Sequence, residues 1–312
     1  MSTAQELVQA AMRWPDAPVL LFQDQPVSYG ALAARSGRWS AALTARGLQP
    51  GQRVAALLPN APEFAVAYYA IAACGGVFVP LDPSLKEDEL VGILRDLDPA
   101  MLVATPDLAA LLHAAAAQAQ LVVPSIDTAE LDAAPAAPFK PDPVDPFSPG
   151  VILYTSGTVG GPKGVVLSQD ALTHSCGAMT DTFGLSAQDV YGFCVPMSHI
   201  SGPLLLGVAM RSGMCLLLFE RFHPQRFLEA ADRHGMTVSH MVPPMAHALL
   251  QMRGDYPLRT LKYLCTFGMT ASPEMLHQFH ARWPHVALSS GFGLTETGPL
   301  VAIGPDAFPP HK

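Results

Sequence analysis

Residues 53–81 hold two short apolar runs with a helix-length segment between them. "RVAALL" (53–58) fits a buried strand, and "VFVPL" (77–81) reads as the next one. Between them, "PEFAVAYYAIAAC" (62–74) is apolar on nearly every face, which predicts a helix buried all round. Asn60 stands as its N-cap, with Pro62 in the first turn and Glu63 three residues after the cap; Gly75 and Gly76 end it. Strands joined through a helix run parallel, and a parallel sheet needs helices on its faces. This spacing restricts the chain to an α/β architecture.

The same pattern recurs along the chain. Ser28 caps a helix carrying Leu32, Trp39 and Leu43 on one face, and Gly47 stops it. "MLVAT" (101–105) and "LVVPS" (121–125) read as strands flanking an Ala-rich helix. Residues 127–149 are rich in Pro, Ala and Asp, and read as an irregular connection between subdomains or, alternatively, as an ordered loop within one. Further strands are expected at 190–196, 214–219, 237–242, 261–267 and 286–291, with helices between them. One such helix is "SPEMLHQFHARW" (272–283), capped by Ser272 with Pro273 in its first turn. The expectation is an α/β fold of two mainly parallel sheets covered by helices. Residues 1–145 would form a first α/β subdomain and 146–312 a second.

Half of the 312 residues are hydrophobic, enough for a large core. A net charge of −8 without a basic block gives no reason to expect nucleic-acid binding. The likeliest candidate for a membrane span, "GPLLLGVAMRSGMCLLLF" (202–219), is broken by Arg211, Ser212 and glycines, so no span is expected. "MSTAQELVQAAMRW" lacks the basic start and apolar core of a secretory signal. Cys74, Cys176, Cys194, Cys215 and Cys265 form no C-x-x-C pair and read as reduced core thiols of a cytoplasmic protein. The histidines show no metal-ligand spacing.

Chemistry concentrates in a few stretches. The strands "VILYT" (151–155) and "VVLS" (165–168) bracket Ser156 to Gly164, a loop of glycines, hydroxyls, Pro162 and Lys163. Glycines let backbone N–H groups converge on an anion, and Lys163 adds a mobile charge. A Walker A loop is excluded, because Pro162 stands where that pattern needs glycine and Gly164 where it needs a hydroxyl. A plain Gly-rich hairpin is the bland alternative. In "SSGFGLTETGPL" (289–300), Phe292 between glycines can lie against a base, Thr295 can reach a phosphate oxygen, and Glu296 can hold Mg²⁺. The alternative there is a turn with a capped helix start. "VPMSHISGPLLLG" (195–207) presents His199, a residue that is more often structural when alone.

"YTSGTVGGPKGVVLS" closely resembles the phosphate loop of the adenylate-forming enzymes: acyl-CoA and aryl-CoA synthetases, firefly luciferase and nonribosomal peptide synthetase adenylation domains. Their usual pattern is Y-[TS]-S-G-T-T-G-x-P-K-G, from which Val159 departs by removing one hydroxyl. The resemblance implies that Thr155, Ser156, Gly157, Thr158, Gly160 and Lys163 hold the phosphates of ATP. "GFGLTE" resembles the family's Y-G-x-T-E motif, which implies adenine packing on Phe292 between Gly291 and Gly293, Thr295 on the α-phosphate, and Mg²⁺ on Glu296. "PMSHISG" resembles the P-x-x-H-x-x-G stretch of acyl- and aryl-CoA ligases. It implies His199 beside the carboxylate, with Ser201 and Leu205 lining the acyl pocket. "YLCTFGMTASPEML" (263–276) resembles the G-[AG]-[AE]-P-L segment of the adenine site. There Gly268 matches, Met269 and Thr270 are bulkier than usual, and Ala271 replaces proline; Met269 and Gly291 are also assigned to the substrate side. Arg221 reads as a surface charge and Asp82 as a turn residue.

The implied reaction is attack of a carboxylate on the α-phosphorus of ATP, then transfer of the acyl group to CoA or a carrier-protein pantetheine. Lys163, His199, Thr295 and Glu296 would be the catalytic residues. Amino-acid-activating members carry an acidic F-D-x-S stretch where this chain has Met197-Ser198-His199-Ile200, which argues for a fatty or aromatic acid without an amino group. Alternatives are an acyl-AMP ligase serving a carrier protein and a non-catalytic acyl-binding module derived from a ligase. The family's later ribose-binding aspartate, hinge and small C-terminal domain with its lysine find no match up to Lys312. The resemblance therefore implies the N-terminal core alone, competent to bind but impaired in complete turnover.

Overall fold

Apolar runs become the central strands of two sheets. The computed structural model describes residues 2–155 and 161–298, and the backbone of 302–303. In chain order the strands are β1 (Pro18–Phe22), β2 (Gln25–Ser28), β3 (Arg53–Leu57), β4 (Val77–Leu81), β5 (Met101–Ala104), β6 (Ser125–Asp127) and β7 (Pro149–Thr155). They continue as β8 (Lys163–Ser168), β9 (Val190–Phe193), β10 (Cys215–Leu218), β11 (Val238–Met241), β12 (Tyr263–Thr266), β13 (Ala287–Phe292) and β14 (Ala302–Ile303). The helices are α1 (Thr3–Arg13), α2 (Tyr29–Ala45), α3 (Pro62–Ala73), α4 (Glu87–Leu97), α5 (Pro106–Gln118) and α6 (Thr128–Ala133). After them come α7 (Gln169–Phe183), α8 (Ser201–Ser212), α9 (Pro224–Arg233), α10 (Pro243–Leu250) and α11 (Pro273–Arg282).

The smaller sheet has the order β6-β5-β3-β4-β7-β8 and is parallel except for β7 and β8. The larger has the order β14-β13-β12-β11-β9-β10-β1-β2, antiparallel only at its two ends. Helices cover both, as the spacing predicts. α3 is buried from Phe64 to Ala73, and one core cluster joins it to α2, α7, α8 and strands of both sheets. All five cysteines are buried and free.

The expected division at residues 145/146 does not separate the sheets. β1 leaves the first half to pair with β10, Leu20 opposite Leu216, while β7 and β8 from the second half join β4. The apolar edge of β10 needs a ladder partner, and β1 supplies it, with the short antiparallel β2 outside. The connection over 127–149 likewise joins β6 to β7 within one sheet rather than crossing between subdomains. It contains α6, whose cap Asp127 accepts from the Glu130 N–H at 2.8 Å. It also lies so close to α2 that a Cβ at Gly37 would sit 2.5 Å from the Ala137 carbonyl oxygen.

Two local expectations are corrected. The strand read at 121–125 pairs only from Ser125, because Val122 points to solvent and Pro124 has no N–H for a ladder. Asn60 is not the N-cap of α3: that position is Ala61, without a side-chain bond, and Pro62 itself lacks the donor a cap would satisfy. Glu63 completes no capping box and instead accepts from Arg35 Nη2 at 2.6 Å.

β9, β11, β12 and β13 run parallel, with Phe193, His240, Cys265 and Ser289 side by side. Their carboxyl ends therefore open on one crevice, the usual place for ligands in open α/β sheets.

Candidate active site

That crevice deepens into a cavity of about 340 Å³. Tyr191, His240, Cys265 and Gly291 form its sheet side, and Met179 and Phe183 of α7 with Leu204 and Leu205 of α8 form its helical wall. Thr155, at the end of β7, reaches it from the other sheet. The mouth carries Phe292, Gly293, Leu294, Thr295 and Glu296.

Most of the sequence-predicted residues meet here. Thr155, His199, Ser201, Leu205 and Gly268 line the cavity, as do Gly291 to Gly293, Thr295 and Glu296. Met269 and Thr270 do not: Gly268 has φ +80°, the chain turns outward, and Met269 is 58% exposed. Lys163 opens β8 opposite Thr155 and is exposed, with Gly161 at φ +96° just before it. Ser156, Gly157, Thr158 and Gly160 lie outside the described residues.

His199 follows β9 and precedes α8. Its Nδ1 accepts from the Ser201 N–H at 3.5 Å, leaving the ring proton on Nε2. Burial pushes its pKa below the usual histidine value, which favours the neutral ring. A second cavity of about 700 Å³ meets the first at His199, Thr155, Phe267 and Gly268, and carries Asp82, Asp88 and Glu89 on its wall. Asp82 is a turn residue, accepting from the Ser84 N–H at 2.8 Å.

Thr295 to Thr297 form one 3₁₀ turn packed against β8. Thr297 fixes it: its hydroxyl donates to the Leu294 carbonyl at 2.9 Å and accepts from the Leu294 N–H at 3.3 Å. Gly298, at φ +68°, lies where a Cβ would come 2.9 Å from Ser175 Oγ on α7. So held, the turn presents the Thr295 hydroxyl and the Glu296 carboxylate with no partner among the described residues. These are hard oxygen donors, and one carboxylate is what Mg²⁺ takes when phosphates and waters fill its remaining positions.

The sequence motifs miss much of the cavity. Met179 and Phe183 stand four residues apart on α7, a spacing that places both on one face. His240 sits in a four-residue strand otherwise made of Val238, Ser239 and Met241, and a lone polar ring in a buried strand is its only signal. Phe267 and Leu294 stand beside motif residues but carry no motif themselves.

Residues 7–312 match the family described as AMP-binding enzyme. The chain is 31% identical to sulfoacetate–CoA ligase of Cupriavidus necator, over 92% of this chain and 58% of that protein. It is 31% identical to a feruloyl-CoA synthase of Amycolatopsis sp, over 95% of this chain and 60% of that protein. It thus spans under two thirds of the length of these relatives. The fold superimposes on a long-chain-fatty-acid-CoA ligase of Archaeoglobus fulgidus with a TM-score of 0.91 at 22% identity, covering 98% of this chain and 66% of that one.

Proposed function

This chain belongs to the AMP-binding enzyme family, and from that premise we propose that it activates an apolar aliphatic or aromatic carboxylic acid with ATP. The acyl group would then pass from the adenylate to the thiol of CoA or of a carrier-protein pantetheine, the bond to the phosphate oxygen breaking as AMP leaves. One observation carries this reading: a largely apolar cavity, His199 and the Thr295–Glu296 pair share a single space with Thr155.

In the proposed step, a carboxylate oxygen forms a bond to the α-phosphorus while the bond to the pyrophosphate oxygen breaks. Such transfers depend on alignment and on charge stabilisation. His199 Nε2–H would donate to the acid's second oxygen and fix its orientation; a neutral donor leaves the attacking oxygen its charge. The Thr295 hydroxyl would bond an α-phosphate oxygen. Glu296 would hold Mg²⁺, whose charge offsets that of the phosphates. Thr155, Ser156 to Thr158, Gly160 and Lys163 would receive the β- and γ-phosphates, while Phe292, 60% exposed at the mouth, offers a face to adenine. The helical wall of Met179, Phe183, Leu204 and Leu205 suits an apolar acyl group. The feruloyl-CoA synthase among the relatives supports an aromatic one.

ATP–pyrophosphate exchange across a panel of fatty, aromatic and amino acids tests the proposal. Exchange with an aromatic or fatty acid is expected, and a clear preference for an amino acid would count against it.

A further inference from the structure

The sheet side of the cavity holds an unpaid polar group. His240 is 7% exposed, lines the cavity, and neither Nδ1 nor Nε2 has a hydrogen-bond partner. Its ring is hemmed by aromatics, with centroids 5.6 Å from Tyr191, 5.5 Å from Phe193 and 5.0 Å from Phe267. Tyr191, two residues before Phe193 on the neighbouring strand, shares this face and also lines the cavity, and no hydrogen bond of its hydroxyl is seen among the described residues. A valine or leucine at 240 would fill such a strand position without the cost of a buried, unmatched polar ring.

The described lining also has a definite charge character. Among the described residues its one charged side chain is Glu296, at the mouth, and no described Lys or Arg lines the cavity. A second carboxylate or a sulfonate on the bound acid would find no counter-charge inside. Burial pushes His240 down to about 3, so the ring is a neutral imidazole at ordinary pH, with one donor and one acceptor.

Building on the proposed adenylation, we infer that His240, with Tyr191 beside it, reads a neutral hydrogen-bonding substituent, a hydroxyl or carbonyl, on the tail of the acid. His199 and His240 both neighbour the Phe267 ring, at 6.3 and 5.0 Å between centroids. On this reading His199 serves the carboxylate and His240 the tail of the same bound acid, both within the one cavity. Sites built to hydrogen-bond a substrate group discriminate strongly against the analogue that lacks it, because their own polar atoms are then left unmatched.

Calorimetric titration of the whole chain with matched 5′-O-sulfamoyladenosine analogues of the acyl-adenylate tests this. The pairs are benzoyl against 4-hydroxybenzoyl and cinnamoyl against 4-hydroxycinnamoyl. In at least one pair the hydroxylated analogue is expected to bind about tenfold tighter or more. In His240→Phe, which keeps an aromatic ring, that ratio is expected to fall to within about twofold, and Tyr191→Phe should reduce it in part. Binding of the analogues with no hydroxyl preference in either pair overturns the inference alone, as does a full preference retained in His240→Phe. Failure of every analogue to bind overturns this inference and the adenylation proposal together. The wild-type ratio decides the matter even where the His240 variant does not fold.

Discussion

The Asn60 side-chain amide donates to the Val195 carbonyl at 2.7 Å, tying the start of α3 to the segment that carries His199. The same amide donates to the Phe219 carbonyl at 3.1 Å, and its oxygen accepts from the Met197 N–H at 2.7 Å. One side chain thus satisfies three backbone groups beside the cavity. Asn60→Ala leaves them without partners and is expected to cost about 2–4 kcal/mol in chemical denaturation. Displacement of the His199 segment should also lower ATP–pyrophosphate exchange by about tenfold or more, since small misplacements of positioning groups are expensive. Unchanged stability would show that water replaces the amide.

A second cluster fixes the long connection. Asp132 accepts from Arg35 Nε at 2.7 Å, from Arg35 Nη2 at 2.6 Å and from Trp39 Nε1 at 2.8 Å. Partial burial acts to raise the Asp132 pKa, but the bonds from Arg35 and Trp39 outweigh it and hold the carboxyl below its usual value. The stabilisation is therefore present above the unfolded carboxyl's pKa and is lost as pH falls through the folded one. Because the pair is partly solvated, Asp132→Asn is expected to cost only about 1 kcal/mol at neutral pH. The difference from wild type should shrink below pH ~4. Denaturant titrations at both pH values check it; a constant difference would assign the loss to packing instead.

Glu6 behaves in the opposite sense. Its Oε1 accepts from Arg211 Nε at 2.9 Å, but Oε2 is buried without a partner. Burial pushes the carboxyl up to about 7 despite the neighbouring guanidinium. Its stabilising contribution is thus full below the unfolded pKa of about 4.5 and is lost as pH rises through about 7. Glu6→Gln, which keeps the shape and removes the charge, should match wild type near pH 5 and melt a few degrees higher at pH 8. Calorimetry at the two pH values tests the sign. A variant that melts lower at pH 8 would mean that the ion pair with Arg211 outweighs desolvation.

The fold was legible where apolar periodicity acts alone. The runs at 53–58 and 77–81 and the all-apolar helix between them are a parallel unit whatever surrounds them. Pairing across long sequence distances was not: nothing local in "PVLLF" names β10 as its partner, so the assignment of β1 to the larger sheet could not be read. Asn60 shows the same limit at one residue. Its local sequence reads as a cap, but a tertiary demand from Val195, Met197 and Phe219 takes the amide instead. Of the cavity lining, His199, Gly291, Thr295 and Glu296 stand in sequence motifs, while His240 and Phe183 stand in none, because only the tertiary packing brings them to the cavity.

The turn bearing Glu296 allows function to be separated from stability. Its carboxylate is exposed and has no partner among the described residues, and the turn is held by Thr297 and Gly298 rather than by Glu296. Glu296→Ala should therefore leave unfolding free energy within about 0.5 kcal/mol of wild type. Nucleotide binding should respond differently, because the carboxylate's proposed task is to hold Mg²⁺ against the phosphates. Calorimetry with ATP in the presence of Mg²⁺ is expected to show about tenfold weaker binding in the variant, and chelation of Mg²⁺ should weaken wild type while barely affecting Glu296→Ala. That convergence is the informative part: a general loss of charge complementarity would shift both proteins equally with and without the metal. Equal ATP affinity of wild type and variant in Mg²⁺ would remove Glu296 from the nucleotide site.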